Sequence, residues 1–145
     1  MNKTKICIFG AGSIGAYLAH ALYKSGSEVK LIARGKHLEE IQKNGLTFIK
    51  DGLKETYNFE ASDNPKNFDI QDYVFITLKA HSVPSIVEKF SPLLGPNTSI
   101  VSAVNGLPWW YFYKSNTGTN LDDKYIESVD HVSYTHMKLQ TILLL

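Results

Sequence analysis

The sequence predicts an α/β protein with a doubly wound, mostly parallel β-sheet. Short, continuous apolar runs are typical of strands covered on both faces, as parallel strands usually are. Segments with helical periodicity separate these runs, and glycine, proline or Asn-Gly pairs end most of the segments. Such an alternation of strands and helices favours a parallel sheet with helices on both sides. The clearest run lies at residues 6–9, and further apolar strands are predicted at 28–33, 73–78 and 99–104.

The first third of the chain predicts a β-α-β unit. After the first strand a helix begins at Ser13, and its apolar positions recur at helical spacing. The helix closes at Ser25-Gly26, because glycine supplies the left-handed C-terminal cap. The crossover to the second strand, at 28–33, is right-handed in nearly all such units. The apolar helix positions are Ile14, Leu18, Ala21 and Leu22.

A short helix and a hairpin are predicted to follow. The helix spans residues 36–44 and ends at Gly45. Strands at 46–49 and 57–61 are joined through Asp51-Gly52, a favoured two-residue turn. The second half then repeats the pattern, although it weakens beyond the last apolar run. Its predicted elements are a strand at 73–78, a helix at 82–94 closed by Gly95-Pro96, and strands at 99–104 and 125–129.

The composition indicates one domain and limits the partners. The chain has 145 residues, and its net charge of +1 gives no field that would gather nucleic acid. It contains no run of about 18 apolar residues, so no membrane span is expected. The amino terminus lacks a secretory signal, which favours a cytoplasmic location. The only cysteine, Cys7, lies in an apolar run and is expected to be a core residue.

The loop Gly10-Ala11-Gly12-Ser13-Ile14-Gly15 has the spacing of a dinucleotide-binding motif. Its first glycine permits the tight turn, its second leaves room for a pyrophosphate, and its third allows close packing of helix and strand. Free amides and the positive end of the helix dipole stabilise the phosphates. The motif follows a buried strand and opens a helix, which is the Rossmann context. A flavin dinucleotide and a ligand-free turn remain alternatives.

The end of the second strand favours NADP(H) over NAD(H). NAD enzymes place an acidic residue there to hold the ribose 2′-hydroxyl. This chain has Arg34 near that position and Lys36 just beyond it. A guanidinium can pair with a 2′-phosphate through two hydrogen bonds, whereas a carboxylate would repel it. The alternative is a solvated surface arginine.

Two further polar residues follow predicted strands. Lys79 comes after the strand at 73–78, and Asn105 comes after the strand at 99–104. Ligands of open α/β sheets bind beyond the carboxyl ends of the strands, so both positions are expected to face the cofactor. Lysine offers a charge, and asparagine offers both a donor and an acceptor. A solvated lysine and an ordinary Asn-Gly turn are the alternatives.

Other site chemistries lack support in the sequence. The histidines show no paired ligand spacing, so no metal site is expected, and His81 is the only one placed beside a predicted site residue. Neither a Walker A sequence nor the nucleophile motif of the α/β-hydrolases is present. An aromatic cluster between Trp109 and Tyr113 is interpreted as a base-stacking surface or as a hydrophobic patch for a further domain or a second copy.

Taken together, these segments resemble the amino-terminal domain of the ketopantoate reductases (2-dehydropantoate 2-reductases). Members of that family transfer a hydride from NADPH to 2-dehydropantoate, and the pantoate formed serves coenzyme A synthesis. The resemblance implies that the glycine loop holds the pyrophosphate, Arg34 the 2′-phosphate, and Lys79 and Asn105 the cofactor near its reacting end. It rests on residues 10–15, Ala33-Arg34-Gly35, Thr77-Leu78-Lys79-Ala80 and Asn105-Gly106, and covers about residues 5–130.

The carboxyl-terminal part departs from the family pattern. The family has a second, helical domain that supplies a lysine proton donor and most substrate contacts, and this sequence ends before it. Residues 1–130 are therefore expected to form an NADP-binding Rossmann domain that is incomplete for catalysis alone. Residues 131–145 lack the family's turn rich in proline and glycine, and our hypothesis is that the native reading frame is lost near His131.

Two functions follow from the sequence. The first is the NADP(H)-binding domain of a reductase that acts on a small 2-oxo acid, with neither nucleic acid nor membrane as a partner. The second is a non-catalytic nucleotide-binding or interaction module. The aromatic cluster between Trp109 and Tyr113 would then associate with a partner or with a second copy of the chain.

Overall fold

Strands and helices alternate along residues 3–105 and 142–144, the part of the chain that this computed structural model describes. The α-helices are α1 (Ser13–Lys24) and α2 (Gly35–Asn44). Short 3₁₀-helical segments span Pro65–Asn67, Ala80–Ser82 and Pro84–Leu93. The strands are β1 (Lys5–Phe9), β2 (Glu28–Ile32), β3 (Leu46–Lys50), β4 (Leu53–Tyr57), β5 (Glu60–Ser62), β6 (Tyr73–Ile76), β7 (Ser99–Ser102) and β8 (Ile142–Leu144).

Within the described residues six strands form one sheet, in the order β5-β2-β1-β6-β7-β8. Every neighbouring pair in this sheet is parallel. The chain builds outward from β1 through β2 to β5, and then crosses back to β6 on the other side of β1. Such a reversal opens a crevice at the carboxyl ends of the strands, where ligands of this fold bind. The predicted α/β fold with a doubly wound parallel sheet is confirmed.

Each face of the sheet has its own apolar core. Ile6 and Ile8 of β1 pack on the side covered by α1 and α2. The alternate residues, Cys7 and Phe9, pack on the opposite side with the Pro84–Leu93 segment. Because successive side chains of a strand point to opposite faces, a strand covered twice must be apolar throughout. This explains the continuous apolar run from which β1 was predicted.

The buried face of α1 differs from the predicted one. Gly15 and Ala19 are the buried positions, whereas Ile14 is 59% exposed and Ala21 is also exposed. Of the predicted apolar positions, Leu18 and Leu22 are partly buried against the core, but the fully buried positions of the helix are its smallest residues. Small residues let the helix axis approach the strands closely. The helix itself, its end at Ser25 and the positive φ of Gly26 agree with the prediction.

The predicted hairpin is present, but its second strand was misplaced. β3 pairs with β4 in antiparallel register, and Asp51 and Gly52, both with positive φ, make the two-residue turn. The segment predicted as one strand at 57–61 is divided: Tyr57 ends β4, and β5 joins the main sheet beside β2. β4 is largely exposed, so it has no apolar run that would mark it in the sequence.

The helix predicted at 82–94 is 3₁₀-helical instead of α-helical, in two segments that begin at Ala80. Pro84 opens the longer segment and Pro92 lies inside it. Proline has no amide hydrogen and clashes with a preceding turn of α-helix, which is consistent with the tighter winding here. The apolar side chains of the longer segment are nevertheless buried, with Phe90 fully enclosed.

Several predictions concern residues outside the described part. These are the strand at 125–129, the aromatic cluster between Trp109 and Tyr113, and the domain boundary at residue 130. The strand β8, which pairs with β7, was not predicted. None of the helices within residues 3–105 has the length and apolar character needed to cross a bilayer.

An exposed ion cluster joins the hairpin to α1 and predicts a pH effect on stability. Hydrogen bonds from Lys24, His20 and Tyr57 lower the pKa of Glu55 from an ordinary 4.5 to about 2. The ionised carboxylate therefore stabilises the fold above about pH 4.5, and this contribution is lost as the pH falls toward 2. We expect Glu55→Gln to lower the melting temperature slightly at pH 7, by about a few degrees at most.

Circular dichroism melts from pH 7 down to pH 3 measure this effect. The gap between the wild-type and Glu55→Gln melting temperatures should narrow as the solution becomes more acidic. A gap that stays constant with pH would contradict a role for the charge of Glu55.

The buried cysteine predicts slow thiol chemistry. Cys7 has no exposed surface, and burial raises the pKa of its thiol to about 12. Since the thiolate is the reactive form, labelling at pH 8 should be at least about a hundredfold slower in the folded chain than in denaturant. A disulfide reagent that releases a coloured thiol measures both rates. Similar rates in the two conditions would show that Cys7 is accessible.

Candidate functional site

The glycine loop links β1 to α1 at the carboxyl edge of the sheet. Gly10 has φ +116°, a backbone conformation that residues other than glycine rarely adopt. A Cβ there would lie 2.7 Å from Leu78 Cδ2. A Cβ at Gly15 would overlap the carbonyl oxygen of Gly10. A Cβ at Gly12, in contrast, would have no atom of a described residue within 4 Å apart from its own chain neighbours and helix. Gly10 and Gly15 are thus required for the packing of the fold, whereas Gly12 leaves open space.

The start of α1 presents free backbone donors. Gly12 is its N-cap and has no side chain to accept from the first turn, which also contains no acidic residue. Ser13 and Ile14 are exposed beside it. The first amides of a helix have no partner within the helix, and the dipole adds partial positive charge there. This end of α1 is therefore suited to an anion.

Side chains from two other elements hold the loop. The Thr77 hydroxyl, just beyond β6, donates to the Gly10 carbonyl at 2.5 Å. The Nε2 of His37, in the first turn of α2, lies 2.6 Å from the Ala11 carbonyl. The amide of Gly10 donates in turn to the Ile32 carbonyl of β2, at 3.0 Å. The loop is thereby tied to the strands on both sides of β1.

A cleft of about 350 Å³ opens between this loop and the 3₁₀-helical segments. One wall is the glycine loop with the ends of β1 and β2, and the opposite wall is formed by Leu78 and Ile86 with polar neighbours. Apolar walls with a few polar groups are typical of nucleotide and cofactor sites. The charged and polar side chains at the cleft are Arg34, His37, Asp63, Ser82, Ser85 and Lys89.

The structure brings some of the predicted site residues to this cleft and leaves others nearby. Gly10, Ala11, Gly12 and Arg34 line it, and Arg34 is also the N-cap of α2. Lys79 and Asn105 do not line it; each is exposed three residues beyond its strand, β6 and β7. Because Ile76 and Ser102 are paired in register, Lys79 and Asn105 have equivalent positions along the same sheet edge. Ser13, Ile14 and Gly15 start α1, outside the lining.

Three charged or titratable residues at the cleft were not predicted. His37, Asp63 and Lys89 come from α2, from the end of β5 and from the Pro84–Leu93 segment. His81, the histidine beside the predicted site residue Lys79, is exposed and does not line the cleft. His37 is one helical turn after Arg34, and this spacing is the feature of the sequence that could have indicated its place at the cleft. Asp63 and Lys89 reach the cleft only through the packing of the sheet.

The parallel sheet and the glycine loop define a Rossmann-type α/β domain. The chain belongs to the ketopantoate reductase family, because the model described as "Ketopantoate reductase PanE/ApbA" matches residues 6–108.

Individual relatives agree with this assignment. The chain is 44% identical over 127 residues to a 2-dehydropantoate 2-reductase of Mesorhizobium japonicum, covering 87% of this chain and 38% of that protein. A crystal structure assigned as a ketopantoate reductase from Ralstonia solanacearum superposes with a TM-score of 0.89 at 32% identity, over 99% of this chain and 44% of that one. A family member from Ralstonia eutropha gives a TM-score of 0.65 at 31% identity, over 71% of this chain and 35% of that one. The chain thus spans less than half the length of each of these relatives.

Proposed function

We propose that the cleft binds NADP(H) and that the chain is the cofactor-binding part of a 2-dehydropantoate 2-reductase. The strongest support is one combination: Gly12, the N-cap that precedes the first amides of α1, lines the same cleft as Arg34, which follows β2. A dinucleotide phosphate carries anionic groups at two separated points, the pyrophosphate and the 2′-phosphate. A cleft with two separate anion-binding groups suits such a ligand.

The position of each group supports this assignment. Gly12 leaves space in front of the first amides of α1, where a pyrophosphate can approach the backbone. Arg34 stands at the end of β2, where a carboxylate would otherwise hold a 2′-hydroxyl, and its planar fork matches a phosphate. Leu78 and Ile86 provide apolar contacts for an adenine ring between these points.

The charge balance of the cleft also favours a polyanion. Among the described residues that line the cleft, Asp63 is the only carboxylate, and it follows β5 instead of β2. Arg34 and Lys89 outnumber it even when His37 is neutral. Asp63 therefore lowers the positive potential of the cleft without reversing it.

The reacting end of the cofactor is assigned to the edge of the sheet beyond β6 and β7. Lys79 supplies a positive charge and three donors, and Asn105 supplies a donor and an acceptor, which suit a carboxamide, a ribose or a 2-oxo acid. When bound, NADPH supplies the hydride for reduction of the keto group. Lys79 and Asn105 are proposed to orient the groups that react, since hydride transfer depends on close positioning.

Two assays test this function. Titration of the chain with NADPH, followed by the change in nucleotide fluorescence, should show saturable binding of one nucleotide per chain. The same mixture with 2-dehydropantoate, followed at 340 nm, tests reductase activity. Absence of binding would overturn the proposal. Binding without oxidation of NADPH would restrict this chain to the nucleotide-binding role.

A further inference from the structure

Two successive carbonyl groups of the glycine loop accept hydrogen bonds from side chains outside the loop. Thr77 Oγ1 is 2.5 Å from the Gly10 oxygen, and His37 Nε2 is 2.6 Å from the Ala11 oxygen. A carbonyl oxygen can only accept, so both side chains are the donors. The Nε2 atom of His37 must therefore bear a hydrogen. These contacts come from opposite sides of β1, since α2 follows β2 and Thr77 follows β6.

These bonds fix more than the two oxygen atoms. A trans peptide is planar, and its carbonyl and its amide hydrogen point in opposite directions. No cis peptide occurs among the described residues. Holding the Gly10 carbonyl therefore sets the direction of the Ala11 amide, and holding the Ala11 carbonyl sets that of the Gly12 amide. Both residues line the cleft.

At Gly12 the loop faces open space. Apart from its chain neighbours and the backbone of α1, no described residue has an atom within 4 Å of the position that a Cβ of Gly12 would occupy. Glycine also has more backbone freedom to lose than any other residue. A loop that must become ordered when a ligand binds weakens the binding, and restraints already present in the free protein reduce that loss.

We propose that His37 and Thr77 are positioning residues that orient the amides of the glycine loop for the pyrophosphate. This inference rests on the proposed function, because it assumes a dinucleotide in the cleft. His37 acts through the backbone and not by contact with the 2′-phosphate, although Arg34 lies in the same cleft. The two roles differ in a measurable way. NADPH and NADH share the pyrophosphate, whereas only NADPH has the 2′-phosphate.

The test compares two substitutions of His37 in the full chain. His37→Phe keeps a ring but removes the donor, and His37→Gln keeps an Nε2 donor at a similar reach. We expect His37→Phe to weaken NADPH and NADH by the same factor, about fivefold, as for one lost hydrogen bond. His37→Gln should restore most of the affinity. Calorimetric titration gives the affinities, and thermal melts verify that each variant is folded.

Two substitutions of Thr77 provide the matching test on the other side of β1. Thr77→Val has nearly the same shape without the hydroxyl donor, and Thr77→Ser retains it. Thr77→Val should weaken both nucleotides about fivefold, and Thr77→Ser should bind nearly as the wild type does.

The outcomes separate this inference from the proposed function. If the wild-type chain binds neither nucleotide, the proposed function fails, and this inference fails with it. If the wild type binds and His37→Phe loses affinity for NADPH alone, His37 contacts the 2′-phosphate and the positioning role is wrong. Unchanged affinities in His37→Phe and Thr77→Val, or a His37→Gln variant as weak as His37→Phe, would likewise overturn it.

Discussion

Arg34→Ala is expected to weaken NADPH binding by about 1.5–3 kcal/mol while leaving NADH binding nearly unchanged. This loss is the usual contribution of hydrogen bonds to a charged group, and it corresponds to about a tenfold to hundredfold higher Kd. The selectivity follows from position, because Arg34 lies at the end of β2, where the 2′-substituent of the adenosine ribose is read. Calorimetric titration of both nucleotides measures the two changes.

A nearby cation provides the control for Arg34. Lys36 is exposed in the first turn of α2 and does not line the cleft. Lys36→Ala removes the same charge from the region, so it reports the general electrostatic effect. Its effect on NADPH should be small. Equal losses of NADPH and NADH in Arg34→Ala would show that the guanidinium does not recognise the 2′-phosphate.

Gly15→Ala is expected to destabilise the whole domain. The new methyl group would overlap the Gly10 carbonyl and lie 2.8 Å from the Thr77 hydroxyl, so α1 would have to move away from the sheet. Overpacking of this kind costs about 3 kcal/mol where backbone must shift. The displaced loop should also lose its affinity for NADPH. Chemical denaturation followed by circular dichroism measures the free energy of unfolding.

Gly12→Ala is the matched control, with the opposite pattern. Gly12 has φ −68°, which alanine adopts without strain, and its Cβ would point into open space. Stability should therefore change by less than about 0.5 kcal/mol. NADPH binding should still fall at least about tenfold, because the methyl group would occupy the space assigned to the pyrophosphate. A stable Gly15→Ala variant, or a Gly12→Ala variant with wild-type affinity, would contradict these separate roles.

The parts of the fold that were predictable are those with local signals. β1 and β6 are covered on both faces, so each is marked by a continuous apolar run. β4 is exposed along most of its length and has no such run, and the second strand of the hairpin was therefore predicted too far along the chain. The buried face of α1 depends on Gly15 and Ala19, whose small side chains contribute little to an apolar pattern.

The same distinction holds for the candidate site. The glycine loop and Arg34 are recognisable because a short motif and a strand end define them within the sequence. The His37 contact with the Ala11 carbonyl joins residues 26 positions apart, and Thr77 reaches Gly10 over 67 positions. Only the parallel pairing of β1 with β2 and β6 brings these groups together. Such contacts cannot be inferred from residue spacing.

Calorimetric titration of the wild-type chain with NADPH and with NADH tests the central claim most directly. The arrangement of free amides at α1 and a guanidinium at the end of β2 predicts saturable binding of one NADPH per chain. It also predicts that NADH binds at least about tenfold more weakly, because it lacks the group that Arg34 recognises. No binding of NADPH, or equal affinity for the two nucleotides, would contradict the account.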